Sequence, residues 1–204
     1  TLRAIRTLKE ADLIASEDTR HTGRLLKHFE ITTPQVSFHS HSNQAKLDKI
    51  IAVLHEGKHV ALVSDAGTPG ISDPGYLLIR RATEEGIKIE PIPGPSALLA
   101  ALVTSGLPMD KFVYLGFLPT KKGRKTLLEG LLSESRTIIL YESPHRIQKT
   151  LNNLVETGFS DHQLVIAREL TKLHETIYRG TVSELATQLK DQKLKGEMVL
   201  VLHK

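Results

Sequence analysis

Apolar runs of strand length alternate along this chain with amphipathic stretches of helix length, and that alternation narrows the fold to α/β architecture with largely parallel pairing. Residues 13–16, 36–39, 59–64 and 87–92 read as strands, with helices at 2–11, 22–28, 44–55, 74–85 and 95–105. The turn-forming stretch Gly106-Leu107-Pro108-Met109-Asp110 then interrupts the pattern. A domain boundary is expected there, with residues 1–109 as a first α/β domain and 110–204 as a second. In the second half, strands are expected at 112–117, 137–141, 164–168, 176–179 and 198–203, and helices at 124–132, 144–157 and 182–189. Several of these strands follow one another too closely for βαβ units throughout, which points to some antiparallel pairing.

With 204 residues, 40% of them hydrophobic, the chain can bury one large core or two cores of about 100 residues each. No run approaches the ~18 apolar residues that span a bilayer, and the opening Thr1-Leu2-Arg3-Ala4-Ile5-Arg6 lacks signal-peptide order. A soluble protein is expected. The absence of cysteine excludes disulfides, thiolate metal sites and a cysteine nucleophile, and fits a cytoplasmic protein. A formal charge of +4 and a pI near 9.2 are compatible with an anionic partner. The chain opens without Met and directly in a helical pattern at Leu2, Ile5 and Leu8, so an N-terminal piece is expected to be missing.

The stretch Ser64-Asp65-Ala66-Gly67-Thr68-Pro69-Gly70-Ile71-Ser72-Asp73-Pro74-Gly75 directly follows a strand. Ligands of open α/β sheets bind outside the carboxyl ends of strands, and glycines there let backbone approach a ligand closely. Asp73 and Pro74 fit an N-cap and first helical residue; that role leaves Asp65 to Ile71 unexplained. Pro91-Ile92-Pro93-Gly94-Pro95-Ser96-Ala97 and Tyr141-Glu142-Ser143-Pro144-His145-Arg146 repeat the strand-to-helix arrangement, with Ser143 and Pro144 suited to start a helix. Neither the Gly-x-Gly-x-x-Gly nor the Walker pattern is present, which disfavours dinucleotide enzymes and P-loop nucleotidases.

Glu17, Asp18 and His21, accompanied by Arg20, form a polar cluster just after a strand. Substrate contact or catalysis competes there with helix capping and ion pairing. Glu142 is a second candidate base, with a loop hydrogen-bonding role as its alternative. Lys121-Lys122-Gly123-Arg124-Lys125 precedes a helix, where cations oppose the dipole; a phosphate partner would explain the placement, as would a solvated turn. Arg146, Arg168 and Lys172 follow other strand ends and would extend the same basic rim, with ordinary surface pairing as their alternative. His39-Ser40-His41 has no matching carboxylate or cysteine cluster nearby, so no metal is expected.

Leu2-Arg3-Ala4, Ala15-Ser16-Glu17-Asp18-Thr19-Arg20-His21-Thr22, the loops quoted above, Gly116-Phe117-Leu118-Pro119, Ala167-Arg168-Glu169-Leu170-Thr171-Lys172 and Gly196-Glu197 together resemble one family. It is the small-subunit ribosomal RNA (cytidine-2′-O)-methyltransferase I family of the tetrapyrrole-methylase superfamily. The resemblance implies two α/β domains, S-adenosylmethionine in the cleft between them, and a homodimer acting on small-subunit ribosomal RNA. It implies cofactor contacts from Asp65, Ala66, Gly67, Thr68, Pro69, Ile71, Ser96, Ala97, Tyr141, Gly196 and Glu197, with Thr68 standing where many relatives carry Asp. Glu17 and Asp18 become the catalytic candidates. Arg20, His21, Lys121, Lys122, Arg124, Lys125 and Arg146 become the substrate-binding ones. It also places the family's first strand and its Gly- and Pro-containing loop before Thr1. Two other readings stay open: a relative acting on a small acceptor such as a tetrapyrrole or a modified histidine of a translation factor, and a non-catalytic RNA-binding relative.

Overall fold

Leu13–Ser16 forms β1, whose alternating side chains serve two cores at once: Ile14 faces one side and Ala15 the other, both fully buried. A strand apolar on both faces suits the middle of a parallel sheet covered on both sides by helices. The computed structural model, which describes residues 1–39 and 44–204, places it there. β1 pairs in parallel with β2 (Gln35–Ser37) on one side and β3 (Val60–Val63) on the other. Ile14 packs with Leu8 of α1 (Leu2–Glu10) and Leu26 of α2 (Thr19–His28). Ala15 packs with α3 (Gln44–His55) and α4 (Tyr76–Glu84) through Leu47, Ile50, Ile51, Leu78 and Ala82. These elements make up a first compact unit, Thr1–Ser96.

The second unit, Ala97–Lys204, is built on β8 (Met198–His203), a strand buried almost end to end. The sheet order is β4 (Phe112–Phe117), β5 (Thr137–Glu142), β8, β6 (Gln163–Arg168), β7 (Thr176–Thr181). β4 and β5 are parallel, whereas β8 runs antiparallel to both its neighbours and β7 antiparallel to β6. The mixed pairing expected from strand spacing is therefore present. One face, carrying Ile138, Leu140, Leu164, Ile166, Leu200 and Leu202, is covered by α6 (Arg124–Leu131), α7 (Ile147–Thr157) and α8 (Val182–Gln188). The opposite face, carrying Ile139, Val165, Val199 and Val201, receives Ala101 and Leu102 of α5 (Ala97–Ser105).

That contact explains why the units divide between Ser96 and Ala97, ahead of the turn at 106–110 where sequence places the boundary. The turn ends a helix; the packing of that helix assigns it to the second sheet. Three expectations about single elements are corrected. Residues 87–92 form no strand: alternate residues Pro91, Pro93 and Pro95 lack the N–H a ladder requires, and 88–96 runs as irregular chain. Asp73 does not cap α4, because Ser72 at φ 61° and Gly75 at φ 145° carry the loop further and Gly75 is the N-cap. Likewise α7 begins after Arg146, three residues beyond Pro144. His39 falls just past β2, while Ser40 and His41 lie outside the described residues. Among the described residues, no helix is long and apolar enough to cross a membrane.

Leu151 on α7 is fully buried in the larger core of the second unit. Leu151→Ala should destabilise the protein by about 2–5 kcal/mol, read as a lower urea midpoint with unchanged slope in circular dichroism.

Candidate active site

Because β1 and β3 pair in register at Ser16 and Val63, the residues that follow them emerge side by side. The Glu17 N–H still donates to the Val63 carbonyl (3.1 Å), and beyond it the two loops exchange hydrogen bonds. The Asp18 N–H donates to Asp65 Oδ1 and the Asp65 N–H donates to Glu17 Oε2, each at 3.2 Å. After this crossing α2 packs on one face of the sheet and α4 on the other. Strand ends whose connections part to opposite faces leave a crevice between them, the usual ligand position in open α/β sheets.

Asp18 is the N-cap of α2: its carboxylate accepts from the Arg20 N–H (2.8 Å) and forms a two-point pair with the Arg20 guanidinium (3.1 and 2.6 Å). Those bonds hold the Asp18 carboxyl well below the usual carboxylate range. A carboxylate so stabilised is a poor proton acceptor near neutral pH. His21 is exposed on the first turn of α2.

The loop from Asp65 to Ile71 is held at several points. Ser64 Oγ donates to the Ala66 carbonyl, and the Ile71 N–H to the Thr68 carbonyl. Gly75 is required by contact, since a Cβ there would lie 3.0 Å from Leu62 Cδ2 and 3.2 Å from the Gly70 nitrogen. Thr68 Oγ1 donates to the Pro95 carbonyl (3.1 Å) and so ties the loop after β3 to the proline-rich segment before α5. Thr68 thus has a defined hydrogen-bonding role within the first unit. Ala66, Gly67, Thr68 and Ile71 are exposed, Asp65, Pro69 and Ser96 half-buried, and Ala97 opens α5 exposed.

In the second unit the carboxyl ends of β4 and β5 are adjacent, and the Tyr141 ring meets Tyr114 and Phe117 edge-on at 5.2 and 5.7 Å. Behind Tyr141, Glu142 is buried, with 1% of its side chain exposed, and fully engaged. It accepts from Arg146 Nε (2.7 Å), Thr150 Oγ1 (2.5 Å) and the Ser143 N–H (2.8 Å). Arg146 also donates to the Leu118 carbonyl (2.8 Å). Arg124, itself buried, donates to the Pro119 carbonyl (3.1 Å), Thr150 Oγ1 (2.6 Å) and Asn153 Oδ1 (2.9 Å). Burial lowers the Arg124 pKa and the Glu142 charge opposes that.

This network turns Arg124 and Arg146 away from the rim expected of them, and gives Glu142 the loop hydrogen-bonding role of its two readings. Glu142 is a structural anion holding the loops after β4 and β5, and Arg124 and Arg146 point into it and not to a rim. Lys121, Lys122 and Lys125 are exposed. Thr150 was missed, although the four-residue spacing of Glu142, Arg146 and Thr150 was a readable signal. Glu142→Gln would leave the buried Arg124 and the half-buried Arg146 without their anion, a loss of about 3–5 kcal/mol; chemical denaturation checks it.

Gly196 and Glu197 adjoin the turn after β6. Glu169 Oε1 accepts from the Glu197 N–H (2.9 Å) and Lys172 Nζ (3.0 Å), and Lys172 also reaches Glu197 Oε2 (2.8 Å). A Cβ on Gly196, at φ 86°, would fall 2.2 Å from Glu169 Cδ. Gly196→Ala should therefore cost about 1–2 kcal/mol in backbone strain alone and displace Glu169, seen as faster amide exchange across residues 169–175. Among the described residues no group of three or more His, Asp or Glu is placed to hold a metal ion.

Residues 1–186 match the tetrapyrrole (corrin/porphyrin) methylases as a family. The chain is 51% identical over 203 residues to the ribosomal RNA small subunit methyltransferase I of Synechocystis sp., covering 99% of this chain and 73% of that protein. The Thermotoga maritima protein of the same name is 46% identical over 202 residues, covering 99% and 90%. Among solved structures, uroporphyrin-III C-methyltransferase from Thermus thermophilus complexed with S-adenosyl homocysteine superposes with a TM-score of 0.65 at 17% identity, covering 100% of this chain and 90% of that one. With its family match, its close relatives and its fold in agreement, the chain belongs to the tetrapyrrole methylase family, in the branch of the small-subunit ribosomal RNA methyltransferases I.

Proposed function

We propose that this chain transfers a methyl group from S-adenosylmethionine to the ribose 2′-hydroxyl of a cytidine in small-subunit ribosomal RNA. The observation that carries the reading is the identity of about half its residues, over almost its whole length, to proteins named for methylating that RNA. The donor follows from membership of a methylase family and from a fold shared with a methyltransferase solved with the demethylated donor. Cofactor contacts are proposed for Asp65, Ala66, Gly67, Thr68, Pro69, Ile71, Ser96 and Ala97, and for Tyr141, Gly196 and Glu197 of the second unit. Arg20 and His21 are proposed to meet RNA.

Attack of a hydroxyl oxygen on a sulfonium methyl is an in-line displacement, so alignment of the two reactants supplies much of the rate. The C–O bond forms as the C–S bond breaks, and the hydroxyl proton leaves to a base. Asp18 is occupied by Arg20 and the α2 backbone, which leaves Glu17 the better placed carboxylate for that proton. A homodimer in the cytoplasm completes the proposal. The dimer is supported by Leu99 and Val103 of α5, which remain 49% and 62% exposed and offer apolar area to a second copy.

Methyl incorporation from labelled donor into unmodified small ribosomal subunits, with mapping of the product, tests the reaction. A new 2′-O-methylcytidine is expected; transfer only to a small acceptor, or cofactor binding without transfer, would overturn it. Glu17→Gln should lower kcat by about 10²–10⁴-fold, with a smaller effect from Asp18→Asn.

A further inference from the structure

From the groove between α6 and α7 we infer a second contact for the substrate, a cradle for the RNA phosphate backbone formed by Lys121, Lys125 and Lys149. The inference rests on the RNA reading above and extends it to a residue of α7 that the basic run at 121–125 does not contain.

The groove has a volume of about 450 Å³ and lies wholly within the second unit. Arg124 and Asn153, joined at 2.9 Å, line it together with Leu128, so its walls are held by the buried network around Glu142. Lys121 enters from the loop before α6, Lys125 from the first turn of α6 and Lys149 from the first turn of α7. All three are exposed, and among the described residues Lys121 and Lys149 have no ion-pair partner; Lys125 lies 3.7 Å from Glu129. Two acids, Glu129 and Glu156, also line the groove, each further along its helix.

The charge is thus sorted along the groove. Both helices return from parallel strands β4 and β5, so their first turns lie at the carboxyl end of that strand pair, the end that carries Phe117 and Tyr141. The lysines gather at that end and the acids away from it. Lysine in a first helical turn opposes the helix dipole, and two adjacent helices do so here. A phosphate seated among them would neutralise the lysines and be favoured by the same dipoles. Several cations gathered at one end of a groove suit the phosphate backbone of a nucleic acid, whose binding is driven by counterion release. Lys122, in the same run, does not line the groove.

The test is binding of protein-free small-subunit ribosomal RNA by fluorescence anisotropy at several salt concentrations. Lys121→Ala with Lys149→Ala should weaken binding roughly ten-fold or more near 0.1 M salt and reduce the slope of log affinity against log salt by about 1–2. Lys88→Ala, at an exposed lysine outside the groove, should stay close to wild type, and Glu156→Gln should tighten binding. Thermal melting that matches wild type shows that the variants fold. If the unaltered chain binds and methylates RNA while the double variant keeps its slope, the cradle is overturned and the function stands. If the unaltered chain neither binds nor methylates RNA, both fall.

Discussion

A parallel ladder cannot be closed by a hairpin, and β1 is paired in parallel on both sides. Each connection in the first unit must therefore travel back across a face of the sheet before the next strand begins. The carboxyl ends of β1, β2 and β3 consequently emerge at one edge, and the polar residues that follow β1 and β3 become neighbours although 47 or 48 positions separate them. Everything attributed to Glu17, Asp18 and Asp65 depends on that constraint. Moving the register by one residue would turn Ile14 and Ala15 to the wrong cores and dissolve both the packing and the polar contact.

The second unit solves a related problem with charge. A buried carboxylate is costly unless every lone pair is answered. Glu142 is answered by a guanidinium, a hydroxyl and a backbone N–H, and its two arginine neighbours carry the remaining donors out to the carbonyls of Leu118 and Pro119. The loops after β4 and β5 are thereby fixed to one another. The aromatic cluster of Tyr114, Phe117 and Tyr141 stands on this base, so its position is set by the buried charges behind it.

Much of this was legible in the chain. Buried strands such as 137–141 and 198–203 announce themselves as continuous apolar runs, and the loops after β1 and β3 by polar and glycine-rich residues at strand ends. What escaped reading depended on distant partners. Residues 87–92 have strand-like Ile87, Ile89 and Ile92, yet a ladder needs donors that the interleaved prolines lack. Arg124 sits among lysines in sequence, and only the fold, bringing Asn153 and Thr150 beside it, turns it inward. Lys149 shows the reverse: nothing local marks it, and its significance comes from the helix packed next to its own. The start of α4 was misplaced because Asp73-Pro74 is a strong local signal that two unusual backbone angles, at Ser72 and Gly75, override.

The allegiance of α5 has a consequence for anyone who wishes to produce the second unit alone. Cutting the chain at its most evident punctuation, the glycine and proline turn at 106–110, would strip Ala101 and Leu102 from the sheet. Ile139, Val165, Val199 and Val201 would then be left open to water on a broad apolar face. A preparation begun at residue 110 would be prone to self-association whatever the merit of its core, whereas one that keeps α5 carries its own cover. Where a polypeptide can be divided is thus decided by which sheet a helix shields, and the most conspicuous turn is the wrong guide.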